Sequence, residues 1–303
     1  MAELRDRWTS GDAYQRFMGR WSPFLAELFV PWVCAPAGSD WLDVGCGTGA
    51  LSHTILALAD PASVMGVDPS EAFVNFARQS VDDPRVQSGS GGNRSRVASE
   101  LNLRAKQSPP QIGKVTKSEG GEPRVEFRVG SGQALPVQDG SFDVAAAGLV
   151  INFVPDPAAA LAEMKRALRP GGQIGCYVWD YADGMRMVRV FFDAAIALDP
   201  AAAKVDEGRR FELCNPTALT KLFNEAGLQN VETRALEFTM QFRDFNDYWD
   251  PFKGSVGPAP AYLASLPPER QLELEREVHN RLPIKSDGSF RLAARAWAVK
   301  GQT

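Results

Sequence analysis

The chain has 303 residues, of which 44% are hydrophobic and 23% are charged, and this composition excludes a fibrous or wholly disordered protein. Its formal net charge of -4 gives no cationic field that would hold phosphate backbones, so we expect no nucleic-acid partner. The four cysteines form no C-x-x-C pair and no apolar run is long enough to span a bilayer, so we expect a cytoplasmic protein without a metal site, a disulfide framework or a membrane anchor.

Residues 40–67 predict a strand, a glycine turn, a helix and a second strand, which together form the βαβ unit that opens a parallel sheet. In the turn GCGTG, residues 45–49, the glycines carry no side chain that would keep a ligand away from the backbone. This turn indicates a nucleotide-like ligand. Because GCGTGA also matches the dinucleotide pattern G-x-G-x-x-A, a nicotinamide-dependent oxidoreductase remains an alternative.

Two acidic residues accompany this turn. Asp68 ends the second strand about 20 residues after Gly45, the spacing at which a carboxylate accepts both hydroxyls of a ribose. Its alternative role is to cap the helix that follows, although Ser70 is placed to serve as that cap. Asp43 lies two residues before Gly45, on the same side of the strand, and either orients a ligand amine or caps the glycine turn.

Residues 88–123 interrupt the alternation of strands and helices. They are rich in Gly, Ser and Pro and contain few large apolar residues, so they predict a flexible insert. The sequence DPRV at residues 83–86 is nearly repeated as EPRV at residues 122–125, as if the insert had split a loop-to-strand junction. We predict that the second copy leads into the next strand, VEFRV.

The remaining sequence continues the alternation. SFDVAAAGLVINFV predicts a buried strand, Asp156 and Pro157 begin a helix, and a turn at residues 170–172 separates this helix from the strand QIGCYVW. Asn215 and Pro216 begin another helix, and VETRALEF and RLAARAWAV supply the last strands. Strands that alternate with helices of this length form a mainly parallel sheet with helices on both faces.

Four motifs, LDVGCGTG, GVDPS, LPVQDGSFDV and LRPGG, follow one another in this order between Trp41 and Val178. Together they resemble the class I S-adenosylmethionine-dependent methyltransferases, and the N-terminal AYQRFMGRWS resembles the leading helix of a subgroup of these enzymes. The resemblance implies an α/β Rossmann-like fold in which the last strand is antiparallel and a small cap is added. It also implies transfer of the methyl group of S-adenosylmethionine to an O, N or C atom of a small-molecule substrate, with S-adenosylhomocysteine as product.

The resemblance further implies which residues hold the cofactor. The glycine turn lies beside its methionine and ribose, Asp68 binds the ribose hydroxyls, and Tyr14 and Arg20 of the leading helix close over the methionine carboxylate. Most family members have an acidic residue that binds the adenine amino group, and here Ser131 stands at that position. The residues assigned to the cofactor are Tyr14, Arg20, Asp43, Gly45, Cys46, Gly47, Thr48, Gly49, Asp68, Pro69, Ser70, Ser131, Gly132, Gln133, Ala134, Gly148 and Leu149.

Methyl transfer from a sulfonium needs an aligned acceptor rather than a protein nucleophile, so the sequence offers only candidates for catalytic residues. Asn152, after the fourth strand, either faces the acceptor or hydrogen-bonds a turn. Asp180 and Tyr181, with the more remote Asp183 and His279, are the titratable candidates for a general base. Without an acidic adenine ligand or a clear base, a cofactor-binding protein without turnover remains a second alternative.

These assignments divide a single methyltransferase domain, residues 1–303, into parts. Helices within residues 1–39 are expected to cover the cofactor, and the insert is residues 88–123. The Rossmann-like core comprises residues 40–180, 214–240 and 290–300. The substrate cap comprises residues 181–213 and 244–289.

Overall fold

The computed structural model describes residues 15–82, 124–254 and 257–303. Its strands are β1 (Asp40–Val44), β2 (Ser63–Asp68), β3 (Arg124–Val129), β4 (Phe142–Gly148), β5 (Leu168–Trp179), β6 (Gln229–Phe242) and β7 (Phe290–Gln302). They form one seven-stranded sheet in the order β3-β2-β1-β4-β5-β7-β6. Strands β1 to β5 pair in parallel, whereas β7 runs antiparallel between β5 and β6. The predicted fold class, a mainly parallel sheet with an antiparallel last strand, is confirmed.

Helices surround the sheet, and two of them begin where the sequence predicts. The side chains of Asp156 and Asn215 accept the N–H groups of Ala159 and Ala218, which caps each helix. None of the described helices combines the length and the apolar character needed to cross a bilayer. The α-helices are α1 (Ser22–Val33), α2 (Ala50–Leu58), α3 (Glu71–Asp82), α4 (Pro157–Ala167), α5 (Arg186–Leu198), α6 (Glu207–Arg210), α7 (Pro216–Glu225), α8 (Phe245–Trp249), α9 (Pro258–Ser265) and α10 (Pro268–Arg281).

The central strands are apolar because both of their faces are covered. Every residue of β2 is buried, and Ala145, Ala146 and Ala147 of β4 have no exposed surface. The neighbours of β1 are β2 and β4, so the chain crosses from one half of the sheet to the other at β1. In open α/β sheets, ligands bind at the carboxyl ends of the strands where the strand order reverses. The topology therefore locates a binding crevice beyond the ends of β1 and β4.

The turn predicted at residues 170–172 is a bulge inside a strand. β5 already begins at Leu168, which pairs with Phe142, whereas Gln173 pairs with Val144. The residues between these two pairs bulge out of the ladder. The prediction of a separate turn was wrong because a Pro-Gly-Gly sequence satisfies either a turn or a bulge at the rim of a sheet, where no proline N–H is needed.

Strand β3 follows the second of the two near-repeats. VEFRV lies within β3, which pairs in register with β2 from Arg124 to Val129, as predicted. Tyr14 and the insert at residues 88–123 lie outside the described residues, so the roles assigned to them stay predictions.

The segments predicted as a substrate cap form a helical layer. Helix α5 packs on β7, and α9 and α10 pack on α5. Phe191 of α5 stacks on Phe252 with ring centroids 4.8 Å apart, and the hydroxyl of Tyr248 donates to the carbonyl of Met187 at 2.9 Å. These contacts join residues of the two segments, 181–213 and 244–289, and the role of the layer as a cap stays a prediction.

Candidate functional site

A pocket of about 370 Å³ opens at the carboxyl ends of the central strands, where the topology locates the crevice. A cavity of about 40 Å³ adjoins it and is lined in part by Asp43, Cys46 and Thr48. The structure therefore brings most of the predicted cofactor residues together. Those that line the larger pocket are Gly45, Gly47, Asp68, Pro69, Ser70, Ser131, Gly132, Gln133, Gly148 and Leu149.

The glycine turn is held against β2 by its own backbone. The N–H groups of Gly45 and Cys46 both donate to the carbonyl of Val67, at 2.7 and 3.1 Å. Gly45 has a φ of +72°, and a Cβ atom there would lie 2.5 Å from Cγ2 of Val150. The turn needs glycine at this position both for its conformation and for space. Gly49 lies at the start of α2 and contributes to neither cavity within the described residues.

Asp68 is a buried carboxylate fixed at the tip of β2. Its Oδ2 accepts the N–H of Gly47 at 3.0 Å, and its Oδ1 accepts the N–H of Ser70 at 2.8 Å. Burial raises the pKa of Asp68, and these two hydrogen bonds oppose the rise. The helix cap is supplied by Ser70, whose Oγ accepts the N–H of Phe73 at 3.4 Å. Asp68 is therefore available for a ligand in the pocket.

Asp43 lines the small cavity and uses one of its two carboxylate oxygens for structure. Its Oδ2 accepts the hydroxyl of Ser52 in α2 at 2.6 Å, while its buried Oδ1 has no hydrogen-bond partner among the described residues. Burial raises the pKa of Asp43 to about 7, against the effect of the Ser52 bond, and the charge of Asp68 adds to the rise. A cationic group beside this carboxylate would stabilise its ionised form.

The predicted adenine end has neutral side chains in place of an acid. Ser131 and Gln133 line the pocket, and the Oγ of Ser131 accepts the N–H of Gln133 at 3.2 Å. Ala134 is exposed and lies outside the lining of the pocket in the described structure. Glu163 of α4 supports this turn from behind, since it accepts the N–H of Leu135 at 2.8 Å.

Arg20 is engaged away from the pocket. Its Nη1 donates to Oδ1 of Asp247 at 3.0 Å, and its guanidinium carbon lies 4.3 Å from the centroid of the Trp21 ring. In the part of the chain that the structure describes, Arg20 lines neither cavity. Binding of a methionine carboxylate would require Arg20 to leave Asp247, so the structure does not bring this predicted residue to the site.

The other end of the pocket has an apolar lining. Met18, Phe153 and Trp179 line it together with the predicted Tyr181. The sequence analysis missed the first three because no motif marks an apolar side chain, and only the position of Trp179 at a strand end was a signal. Asn152 lies in the turn after β4, and its buried Nδ2 meets no hydrogen-bond acceptor in residues 15–82, 124–254 or 257–303. Its neighbours Ile151 and Phe153 line the pocket, but Asn152 lines neither described cavity.

The other titratable candidates for a general base make contacts away from the pocket. Asp180 and Asp183 both accept hydrogen bonds from Arg295, at 2.7 and 2.8 Å. His279 is exposed on α10, with its ring centroid 4.9 Å from that of Phe245. To serve as a base, Asp180 would have to give up a buried ion pair. Of the four candidates, only Tyr181 lines the described pocket.

Comparison with known proteins agrees with this geometry. Demethylmenaquinone methyltransferase of Bacillus velezensis is 31% identical over 132 residues, which are 40% of this chain and 56% of that protein. The ubiquinone/menaquinone biosynthesis C-methyltransferase UbiE of Methylobacterium nodulans is 33% identical over 125 residues, which are 37% of this chain and 49% of that protein. The chain thus spans about half the length of these curated relatives.

The fold and the family agree as well. Phosphoethanolamine N-methyltransferase 2 of Haemonchus contortus, solved with S-adenosylhomocysteine, has the same fold at a TM-score of 0.50 and 16% identity, over 97% of this chain and 56% of that one. The family model of a methyltransferase domain matches residues 13–233, more than half of the chain. This match decides against the nicotinamide alternative. The chain belongs to the methyltransferase domain family, as the resemblance of its four motifs to the class I enzymes implies.

Proposed function

We propose that the pocket binds S-adenosylmethionine and that the chain transfers its methyl group to a small, planar and largely apolar acceptor. The observation that carries this proposal is the carboxylate of Asp68, which two backbone N–H groups hold at the tip of β2 beside the glycine turn. A carboxylate in this position accepts the two hydroxyls of a ribose. The pocket, at about 370 Å³, has the size of a small-molecule site.

The remaining parts of the cofactor also find suitable groups. The ammonium of the methionine portion fits Oδ1 of Asp43, a buried acceptor whose partner is missing from the described residues. A Cβ at Gly45 would collide with Val150, which lines the pocket, so glycine there keeps Val150 in its place in the lining. Ser131 and Gln133 offer neutral hydrogen-bonding groups to the adenine. Together with Asp68, these groups support a ligand that carries an ammonium, a ribose and a purine.

The acceptor is proposed to lie at the apolar end. Phe153 and Tyr181 offer ring faces and edges for a planar molecule. Relatives named for menaquinone and ubiquinone biosynthesis support a ring acceptor of this kind. Both roles of Asn152 stay predictions, since its neighbours Ile151 and Phe153 line the pocket and Asn152 itself does not.

The chemistry needs alignment rather than a protein nucleophile. When bound, S-adenosylmethionine supplies a methyl group that its sulfonium activates. The chain holds an acceptor O, N or C atom in line with the S–CH3 bond and excludes water from it. The acceptor would form its bond to the methyl carbon as the S–C bond breaks with its electron pair left on sulfur, and it would lose a proton to solvent or to a nearby base. Of the predicted candidates for that base, Tyr181 lines the pocket.

Isothermal titration tests the cofactor assignment. We expect saturable binding of S-adenosylmethionine and S-adenosylhomocysteine, and loss of roughly tenfold or more in affinity in Asp68→Ala, because a charge-assisted hydrogen bond contributes about 1.5 to 3 kcal/mol. Glu27→Ala, on the exposed side of α1, is the control and should bind as the wild type does. Undiminished binding by Asp68→Ala, or tighter binding of NADH, would contradict the proposal.

Mass spectrometry tests the transfer itself. A panel of phenols, hydroquinones and amines is incubated with the protein and S-adenosylmethionine, and we expect a methylated product from at least one ring hydroxyl or ring carbon. If the protein binds the cofactor but methylates no member of the panel, the alternative of a binding protein without turnover gains support. The cytoplasmic location and the absence of a nucleic-acid partner stay proposals, supported by the cysteine spacing and the charge of -4.

A further inference from the structure

Arg189 of α5 is buried although it carries a charge, with 9% of its side chain exposed. Its Nη1 and Nη2 donate to the two carboxylate oxygens of Asp206 at 2.9 and 3.0 Å, and its Nε donates to Asp193 at 2.9 Å. Nη1 also donates to the main-chain carbonyl of Tyr181 at 3.3 Å. One guanidinium therefore joins α5 to two other segments of the chain.

Packing does not account for this pair. The carboxylate of Asp206 is 3% exposed, and burying two charges removes them from water at a cost that apolar side chains of similar size would avoid. What the arginine provides is direction, since two parallel N–H···O bonds fit a carboxylate in one orientation. Such a pair is suited to fixing the relative position of the segments that it joins.

Both segments lead to the lining of the pocket. Asp206 also accepts the N–H of Gly208 at 3.0 Å and so caps α6, which Phe211 follows directly. The ring of Phe211 lies 4.9 Å from that of Phe153 and 5.5 Å from that of Tyr181, measured between centroids. Phe153 and Tyr181 line the pocket. We call Phe153, Tyr181 and Phe211 the aromatic wall.

We infer that the Arg189–Asp206 pair positions the aromatic wall and, through it, the ring of the acceptor. The inference rests on the proposed function, which assigns the acceptor to this end of the pocket. Arg189 holds one side of the wall by the carbonyl of Tyr181, and Asp206 holds the other by the helix that precedes Phe211. Neither of the two lines the described pocket, so both are positioning residues.

Arg189→Lys is the most informative variant. Lysine keeps a positive charge beside Asp206, but a single ammonium does not match both carboxylate oxygens while reaching the carbonyl of Tyr181. Asp206→Asn is a second variant, which keeps the shape and removes the negative charge. The control is Arg281→Lys, which makes the same exchange in an ion pair with Glu277 on α10, at 2.8 Å.

The first measurement compares the two ends of the pocket. Isothermal titration gives the Kd for S-adenosylhomocysteine, and a fluorescence titration of the loaded protein with 1-naphthol probes the acceptor end. For Arg189→Lys we expect the first Kd to stay within about twofold and the second to rise roughly tenfold or more, because the displaced rings of Phe153 and Tyr181 would lose their contacts with the naphthol ring. Equal weakening of both ligands, or of neither, overturns the inference.

The second measurement needs no acceptor. The chain has five tyrosines, so labelling with 3-fluorotyrosine gives five fluorine NMR lines, and Tyr181→Phe identifies the line of Tyr181. We expect Arg189→Lys to move or broaden that line alone, and Arg281→Lys to leave all five unchanged. An unchanged Tyr181 line, or equal changes in all five, overturns the inference. If the Tyr181 line moves alone while the wild type does not bind 1-naphthol, the positioning role stands and the proposed acceptor class fails.

Discussion

The carboxylates of Asp43 and Asp68 are buried near the ends of two neighbouring strands, and burial raises the pKa of both. The charge of Asp68 adds to the rise in the pKa of Asp43, because like charges at close range repel. A cationic ligand between β1 and β2 would offset the repulsion between these carboxylates. The site should therefore bind a cation more tightly than a pocket without charged groups would. Groups that oppose folding and favour a ligand are typical of functional sites.

The first prediction concerns the pH dependence of Asp43. Its pKa rises from 3.8 in a model peptide to about 7 in the fold, so between these values the folded chain holds a proton that the unfolded chain releases. This group therefore adds to the free energy of unfolding at low pH, and the contribution, about 4 kcal/mol, is lost as pH rises to about 7. We expect Asp43→Asn to lose this slope in urea denaturation between pH 5 and 8.

Cofactor binding should show the opposite trend. An ammonium binds the ionised carboxylate, so the affinity of the wild type for S-adenosylmethionine should rise from pH 6 to pH 8, whereas that of Asp43→Asn should not. Asp40→Asn, at the opposite end of β1 and paired with Arg169, is the control and should keep the wild-type trend. A wild-type affinity that does not change over this range would show that Asp43 does not meet the ammonium.

The second prediction separates backbone conformation from space in the glycine turn. Gly45 and Gly38 have nearly the same φ, +72° and +75°, but a Cβ at Gly45 would lie 2.5 Å from Val150, while a Cβ at Gly38 meets no described atom within 4 Å. Alanine at either position costs about 1 to 2 kcal/mol for the left-handed conformation. Only Gly45→Ala should also lose cofactor affinity, measured by isothermal titration, because its Cβ would push Val150 out of its place in the pocket lining. Equal affinities in the two variants would show that cofactor binding does not depend on the packing of Val150 against Gly45.

At the scale of elements, a local sequence pattern predicted the secondary structure correctly where it is compatible with only one local structure. An acceptor side chain before a proline favours a helix start when apolar residues at helical spacing follow, so the starts at Asp156 and Asn215 were predictable. The Pro-Gly-Gly sequence is compatible with either a turn or a bulge, and the pairing of Leu168 with Phe142 decides for the bulge. That pairing brings together residues far apart in the chain, so no local pattern contains it.

The third prediction tests one of these helix starts. Asn215 caps α7 through the N–H of Ala218, at 2.9 Å. We expect Asn215→Ala to lower the free energy of unfolding by about 1 kcal/mol, because it leaves this N–H without its partner. Asn224→Ala, the same exchange at an exposed position of the same helix, should cost nothing since alanine favours a helix. Equal losses in urea denaturation would show that the cap does not stabilise the fold.

At the scale of the whole molecule, the cofactor end was predictable and the acceptor end was not. Glycines, Asp68 and the strand order each point to one crevice, and the sheet brings them together there. Arg20 belongs to the same predicted set, yet it pairs with Asp247, which lies more than two hundred residues away in sequence. The lining by Phe153 and the support of Tyr181 by Arg189 depend equally on tertiary packing. Contacts of this kind correspond to no spacing or motif in the sequence from which they could be predicted.

The last prediction asks whether the molecule needs its insert. Helix α3 ends at Asp82 and β3 begins at Arg124, and a direct connection between a helix and the next strand of such a sheet needs only about 2 to 6 residues. Removing residues 84–122 joins the first copy of the near-repeat to the second and leaves a connection of this length. Because the residues that pair β2 with β3 and the residues that hydrogen-bond Asp68 in the described structure are all kept, we expect thermal unfolding and the Kd for S-adenosylmethionine to match those of the full chain. A shortened chain that unfolds cooperatively but no longer binds the cofactor would show that residues 84–122 belong to the site.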